Sequence, residues 1–415
     1  MAKNNLCEDN ELVAGCEDEE MVAYRKKALN VITFRIVLDN NDLETANKKT
    51  NSFKPEMAHQ IFGDSELIFG YRQLSIVLYY LHNSAKCYAK VKAADHIVHD
   101  LYKADDIMKL LQMWLPKNYR ENEGEFRTDI AEEDHAVIHG EVVHTFENHD
   151  KTYKVTLCDA TNEQFKEFHQ RFETYIMWFI DGANFIDLDD CRWTIFYVYE
   201  EYVDAETDRT IRSPVGFCTV YKFFLYPNST RPRISQFFIL PTHQRRGIGS
   251  KLYSAVYNYL KDLPESRDIT VEEPTAVFQK IRDFCDSVHI HEALKREKIN
   301  VTVHNQKQIG EFLKQHKISK KQAQRVFDIL ECVTTRNRGF REYTEYTESI
   351  KRRIKSEIER ENLGSKRICN AERAVVMPES LDVTSLTNAE YGRYMESLEG
   401  PVRHMTAYLQ KNSAE

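Results

Sequence analysis

The stretch Gln236-Phe-Phe-Ile-Leu-Pro-Thr-His-Gln-Arg-Arg-Gly-Ile-Gly249 decides the fold of this chain of 415 residues. An apolar, partly aromatic run leads into a loop with two glycines, and beyond it Ile248, Leu252, Val256, Tyr259 and Leu260 recur at helical spacing. The pattern predicts a strand, a tight loop and an amphipathic helix over residues 247–260. Gly247 and Gly249 permit backbone angles closed to other residues, so successive N–H groups can converge on an anion at the positive end of the new helix. Arg245 and Arg246 add charge around such an anion. Two common phosphate loops are excluded: the GxGxxG dinucleotide fingerprint is incomplete, and GxxxxGK[ST] is absent.

Upstream, β-branched and aromatic runs predict strands over 193–202, 215–226 and 233–240, the last two joined as a hairpin across Pro-Asn-Ser-Thr at 227–230. Before them, Phe165, Phe168, Phe172, Tyr175 and Phe179 share one face of a predicted helix over 162–180. Downstream, a short strand at 269–271 precedes Pro274, which opens another helix. Partly alternating runs at 32–38, 73–80 and 87–91 predict a mixed α/β module over 29–150, after an acidic tail over 1–28. The core follows over 151–300, a charged helical domain over 301–360, and a helical or flexible extension over 361–415, where Pro378 and Pro401 favour shorter helices. In the helical domain Ser319 and Gln322 have the spacing of a capping box. The basic run at 351–355 reads as the solvated face of a helix whose other face carries Ile350, Ile354 and Ile358.

Composition narrows the function. A formal charge of -8 argues against a surface built mainly to grip nucleic acid and suits a basic peptide better. The nine cysteines show no CxxC or Cys/His pairing, so no structural zinc is expected, and no apolar run is long enough to span a bilayer. The beginning of the sequence lacks the pattern of a secretory leader, and reduced cysteines in cytosol or nucleus are expected.

The segment Gln244-Arg245-Arg246-Gly247-Ile248-Gly249, between strand and helix, resembles the coenzyme A loop of the GCN5-related N-acetyltransferases. Within that superfamily, Phe53-Lys-Pro, His59-Gln-Ile-Phe-Gly-Asp64, Met177-Trp-Phe-Ile, Phe185-Ile-Asp-Leu-Asp-Asp190, Thr230-Arg-Pro-Arg233 and Asp268-Ile-Thr-Val-Glu-Glu-Pro274 resemble the type B histone acetyltransferase catalytic subunits. The resemblance covers about residues 30–360.

It implies an α/β acetyltransferase fold with a splayed mixed sheet, and acetyl-coenzyme A as cosubstrate without a metal. Phe237, Phe238 and Ile239 would contact the pantetheine arm and polarise the thioester through their main chain, and Gln244, Arg245, Arg246, Gly247, Ile248, Gly249 and Ser250 would bind the pyrophosphate. A free lysine is almost wholly protonated at neutral pH, so transfer needs a proton acceptor. The resemblance assigns that role to Glu272, with Glu273 as a supporting carboxylate; read without it, a Glu-Glu pair at a strand end is a solvated turn. Asp181 stands at a third family position usually held by glutamate. The peptide side is implied to involve Asp64, Ser65, Glu66, Trp193, Tyr221, Lys222 and Phe223, with Ser65 at a place where the family carries an acid. Core packing is the alternative for the aromatics.

The implied substrate is the N-terminal tail of newly synthesised histone H4, accompanied by histone H3. A WD-repeat histone-binding protein is the implied partner, engaged by an N-terminal helix, with nuclear and cytoplasmic residence and no direct binding of nucleic acid or membrane. Acetylation of another basic peptide or a polyamine, or a non-catalytic histone-binding role, are the competing expectations.

Overall fold

The computed structural model describes residues 19–44, 51–299, 306–371 and 382–413. They form two compact units, one from residues up to Val220 together with Gln236–Ile248, the other from Tyr221–Ser235 and the residues from Gly249 onward. The first eighteen residues, most of the expected acidic tail, lie outside the described residues, as does the expected border at 300.

In the first unit, β1 (Ile32–Val37), β2 (Ser75–Leu81) and β3 (Cys87–Lys92) form a sheet with the short strand Ser52–Phe53 at its edge. β1 and β2 run parallel with Phe34 opposite Leu78, and β3 returns antiparallel. Regular structure begins before the expected module start at 29, because Arg25–Lys27 pairs antiparallel with Leu67–Phe69.

The larger sheet contains β4 (Glu141–Asn148), β5 (Lys151–Cys158), β6 (Trp193–Val203), β7 (Thr210–Leu225) and β8 (Ser229–Ile239) as successive neighbours. β4 has no apolar alternation to announce it, being exposed along nearly its whole length apart from Phe146. The border expected near residue 150 falls in the β4–β5 turn, where His149 and Asp150 adopt positive φ, so the strands on either side belong to one sheet.

The aromatic helix predicted over 162–180 is two elements. Asn162 accepts a hydrogen bond from Phe165 N to open α1 (Glu163–Phe172), and the chain then tightens into a 3₁₀ turn over Glu173–Trp178. All six residues of that turn are buried, which a helix with one apolar face would not achieve. The turn links the two sheets: Phe34 meets Trp178 at 5.4 Å between ring centroids and Tyr175 at 5.8 Å, while Tyr175 and Phe179 meet Phe238 at 6.0 and 5.4 Å. Each such buried ring contributes roughly 1.5–3 kcal/mol of apolar burial. β7 crosses β8 closely at Gly216, where a Cβ would stand 2.4 Å from the Phe238 carbonyl oxygen.

In the second unit, the far end of the β7–β8 hairpin is joined by β9 (Thr270–Val271), parallel to β8 with Arg233 opposite Thr270 and Ile234 opposite Val271. Around it lie α2 (Ile248–Asp262), α3 (Ala276–Glu297), α4 (Gln306–Gln315), α5 (Lys320–Arg338), α6 (Phe340–Ala371) and α7 (Val383–Ser413). The expected capping box at Ser319 does not form: its side chain makes no cap bond, and Gln322 is buried instead, donating to Asp283 and Asp286 at 3.0 Å each. A buried amide gains more from two carboxylates of α3 than from reaching back to the helix start. The basic run is not wholly solvated either, since Arg353 turns inward to Asp328 at 2.6 Å. α7 runs uninterrupted through Pro401, where shorter helices were expected; Leu398, Val402 and Met405 are buried around it, and that packing outweighs one lost backbone bond.

Candidate functional site

In the first unit, β8 keeps its pairing to the end, with Leu240 N donating to Val215 O at 2.8 Å. Pro241–His243 then makes a 3₁₀ turn, and Gln244 Nε2 donates back to Ile239 O at 2.9 Å, which pins the loop to its strand. Arg245 and Gly247 have φ of 60° and 81°, so left-handed residues alternate along the loop, the backbone pattern of an anion-binding nest. Asn148 Nδ2 holds the loop from outside, donating to Arg246 O at 2.8 Å. Residues 244–247 are exposed, and a Cβ built on Gly247 meets nothing within 4 Å. The donor set and the open space fit a pyrophosphate, and buried Ile248 starts α2 directly behind it.

Glu200 on β6 supports the loop's approach. Lys151 Nζ lies 2.7 Å from its carboxylate, Tyr153 Oη donates at 2.6 Å, and His243 Nε2 is 3.4 Å away. Burial pushes this carboxyl up, but the hydrogen bonds from His243, Lys151 and Tyr153 outweigh it and hold the pKa at about 2. Glu200 is therefore a charged anchor for His243 immediately before the loop.

Of the strand residues Phe237, Phe238 and Ile239, the last two are buried. Phe238 is core, as the packing alternative expected, and its ring fixes the backbone that a cosubstrate would meet. Gln236 is buried, with its Nε2 donating to Asn184 O at 2.8 Å and its Oε1 accepting from Thr219 Oγ1 at 3.2 Å.

In the second unit the β8–β9 ladder reaches Glu272, whose N–H donates to Ile234 O at 2.9 Å. Ser235 Oγ donates to Glu272 Oε2 at 2.6 Å. Glu273 has φ of 33°, which bends the chain out of strand geometry before Pro274. Both carboxylates are exposed. A carboxylate with a single hydroxyl donor and open lone pairs can still accept a proton.

Asp181, in the first unit, pairs with His59 Nε2 at 3.0 Å. The Glu66 carboxylate accepts from Ala58 N at 2.6 Å and lies 4.0 Å from His59 Nδ1, so it holds its own loop together, whereas Asp64 and Ser65 are exposed. Trp193 is half-buried at the start of β6. In the second unit Lys222 is half-buried, Tyr221 packs edge-on to Phe223 at 4.7 Å, and the Arg233 guanidinium sits 4.5 Å from the Phe223 centroid. The Phe223 ring thus carries the Arg233 cation within cation–π range. Sequence reasoning passed over His59, Ser235, Glu200 and His243. His59 and His243 stood inside quoted motifs, but each of the four has a partner distant in sequence.

Among the described residues no group of three or more metal-ligating side chains occurs, and no helix is long and apolar enough to cross a membrane. Residues 24–181 match the family described as histone acetyl transferase HAT1 N-terminus, and residues 155–282 match the acetyltransferase (GNAT) family. The histone acetyltransferase type B catalytic subunit of Homo sapiens is 33% identical over 350 residues, 81% of each chain. Its counterpart in Mus musculus is 31% identical over 347 residues, 81% of this chain and 82% of that one.

Proposed function

Because this chain belongs to the family of histone acetyltransferase type B catalytic subunits, we propose that it acetylates lysines in the N-terminal tail of newly synthesised histone H4, with Glu272 accepting the amine proton. It is an acetyltransferase of the GNAT fold, as its sequence led one to expect. Acetyl-coenzyme A supplies the activated acetyl group as a thioester. Residues 244–250 hold its pyrophosphate, and Phe237, Phe238 and Ile239 hold its pantetheine arm through their main chain.

The observation that carries this reading is the course of β8. Its parallel pairing to β9 ends at the bond from Glu272 N to Ile234 O, at 2.9 Å, and the next residue, Ser235, gives its hydroxyl to Glu272. Two residues further the same strand becomes the segment 237–239. Ser235 leaves most of the Glu272 acceptor capacity available, so that carboxylate is suited to take a proton from the lysine ammonium. Glu273, next in the chain and exposed, adds negative charge that favours a cationic substrate.

Histone H3 as companion of H4, a WD-repeat histone-binding partner, and residence in nucleus and cytoplasm belong to the same proposal. The extreme N-terminal residues relevant to the WD-repeat contact lie outside the described residues. The test is acetyl transfer to a histone H4 tail peptide at saturating acetyl-coenzyme A, beside Glu272→Gln and a lysine-free peptide, with coenzyme A binding measured in parallel. Transfer that collapses in Glu272→Gln while coenzyme binding survives supports the proposal. Undiminished transfer by Glu272→Gln removes Glu272 as the proton acceptor. Binding of cosubstrate and peptide without transfer by the unaltered chain favours the non-catalytic histone binder.

A further inference from the structure

The contact between His59 and Asp181 joins two stretches far apart in sequence, 3.0 Å between Nε2 and Oδ1 across 122 positions. The segment bearing Asp181 is fastened to β8 on both sides. Before it, the Phe179 ring packs on Phe238 at 5.4 Å; after it, Asn184 O accepts from the buried Gln236 at 2.8 Å. The backbone on either side of Asp181 is therefore fixed against the strand assigned to the pantetheine arm, while the Asp181 side chain is 78% exposed. An exposed aspartate of this kind normally samples several rotamers, and a single directed hydrogen bond from a fixed donor selects among them.

His59 is such a donor. It opens the short helix His59–Phe62, whose Ile61 is buried, and its backbone neighbour Ala58 donates its N–H to the Glu66 carboxylate at 2.6 Å. Glu66 Oε1 also stands 4.0 Å from the other ring nitrogen. The imidazole thus lies between two carboxylates, one structural and one pointing outward, and only a third of its own surface is exposed.

We infer that His59 is a positioning residue for the acetyl transfer proposed above: its Nε2 orients Asp181, and the oriented carboxylate draws the incoming lysine ammonium into reacting alignment. The inference rests on that functional reading. It also gives a physical role to the aspartate found where the family usually carries glutamate, since a shorter side chain benefits more from an external partner that sets its direction.

The experiment uses the full-length protein, with the H4 tail peptide varied at saturating acetyl-coenzyme A, and compares His59→Ala, His59→Gln, Asp181→Asn and the double variant His59→Ala/Asp181→Asn. Loss of one directed hydrogen bond to a charged group should lower kcat about tenfold in His59→Ala, with the KM for acetyl-coenzyme A and the melting temperature unchanged. His59→Gln, which keeps an amide donor of similar reach, should recover most of the loss. The double variant should be no slower than the slower single one, because both changes break one interaction. Multiplying losses in the double variant, a His59→Gln variant as slow as His59→Ala, or a loss expressed as a raised KM for acetyl-coenzyme A would each overturn the inference. Should the unaltered chain transfer acetyl and Glu272→Gln abolish it while His59→Ala stays fully active, only the His59 role falls. A chain that binds both substrates without transfer removes the functional reading itself.

Discussion

The helical part of the second unit and the end of β9 use carboxylates in opposite ways. Asp283 is fully buried and accepts from Arg325 at 2.6 Å, Gln279 at 2.6 Å and Gln322 at 3.0 Å. Asp328 is 2% exposed and takes Arg353 at 2.6 Å together with the Tyr394 hydroxyl. Glu272 is exposed and has one hydroxyl donor. A carboxylate whose oxygens are engaged by several buried donors ties helices together. One that is held at a single oxygen remains available for chemistry. Glu173 in the first unit is a third kind, buried beside His169: burial raises its pKa to about 8, and His169, lowered to about 3 by its own burial, stays neutral.

The contrast breaks most visibly at Asp283. Asp283→Ala strands the Arg325 guanidinium and takes an acceptor from Gln279 and Gln322, and breaking a buried pair in this way costs about 3–5 kcal/mol. Urea unfolding followed by helical circular dichroism should register that loss; a cost under about 1 kcal/mol would show that the buried network is not what holds these helices. Glu272→Gln should do the reverse, lowering kcat by about a hundredfold or more while leaving stability within about 0.5 kcal/mol, as expected at an exposed site.

Glu173→Gln tests the intermediate kind through pH. A carboxyl whose folded pKa is raised from 4.5 to about 8 contributes its full stability below about 4.5 and loses it as pH climbs to about 8. The unaltered protein should therefore weaken, relative to Glu173→Gln, between pH 5 and pH 8, by on the order of 1–3 kcal/mol. Thermal unfolding of the pair at both pH values measures this with the His169 contribution common to each. The smallest effect belongs to Ser235→Ala, which removes the hydroxyl donor to Glu272. Single-turnover rates should fall roughly fivefold, about 1 kcal/mol, with coenzyme A binding intact. A larger fall would mean that Ser235 does more than steady the carboxylate.

The parts of this arrangement that could be read from sequence are those whose cause is local. The strands leading to Ile239, the loop at Gln244–Gly249 and the helix behind it follow from apolar period and glycine placement, and structure reproduces them within a few residues. Features decided by distant partners were not legible. Gln322 has the spacing of a cap, but Asp283 and Asp286, 36–39 positions away, claim its amide. Pro401 is a helix breaker by its own chemistry and is overruled by Leu398, Val402 and Met405 packed around it. Residues 141–148 have the exposure of an edge strand, and their pairing to β5 is stated only by the backbone. In the candidate site, Glu272 and Asp181 were singled out through resemblance, whereas their hydrogen-bond partners Ser235 and His59 become apparent only once the chain is folded.

The division of the chain bears on how the protein can be made in pieces. The first unit is not continuous: it needs residues up to Val220 and then Gln236–Ile248, with the hairpin end of the other unit intervening. A nascent chain that has emerged only through Ser235 still lacks the last four residues of β8, so the ribosome must deliver nearly 250 residues before this unit's sheet can close. A recombinant fragment stopped at Val220 would present β7 as a bare edge, a template for aggregation. Fragments meant to carry the sheet should therefore end beyond Ile248.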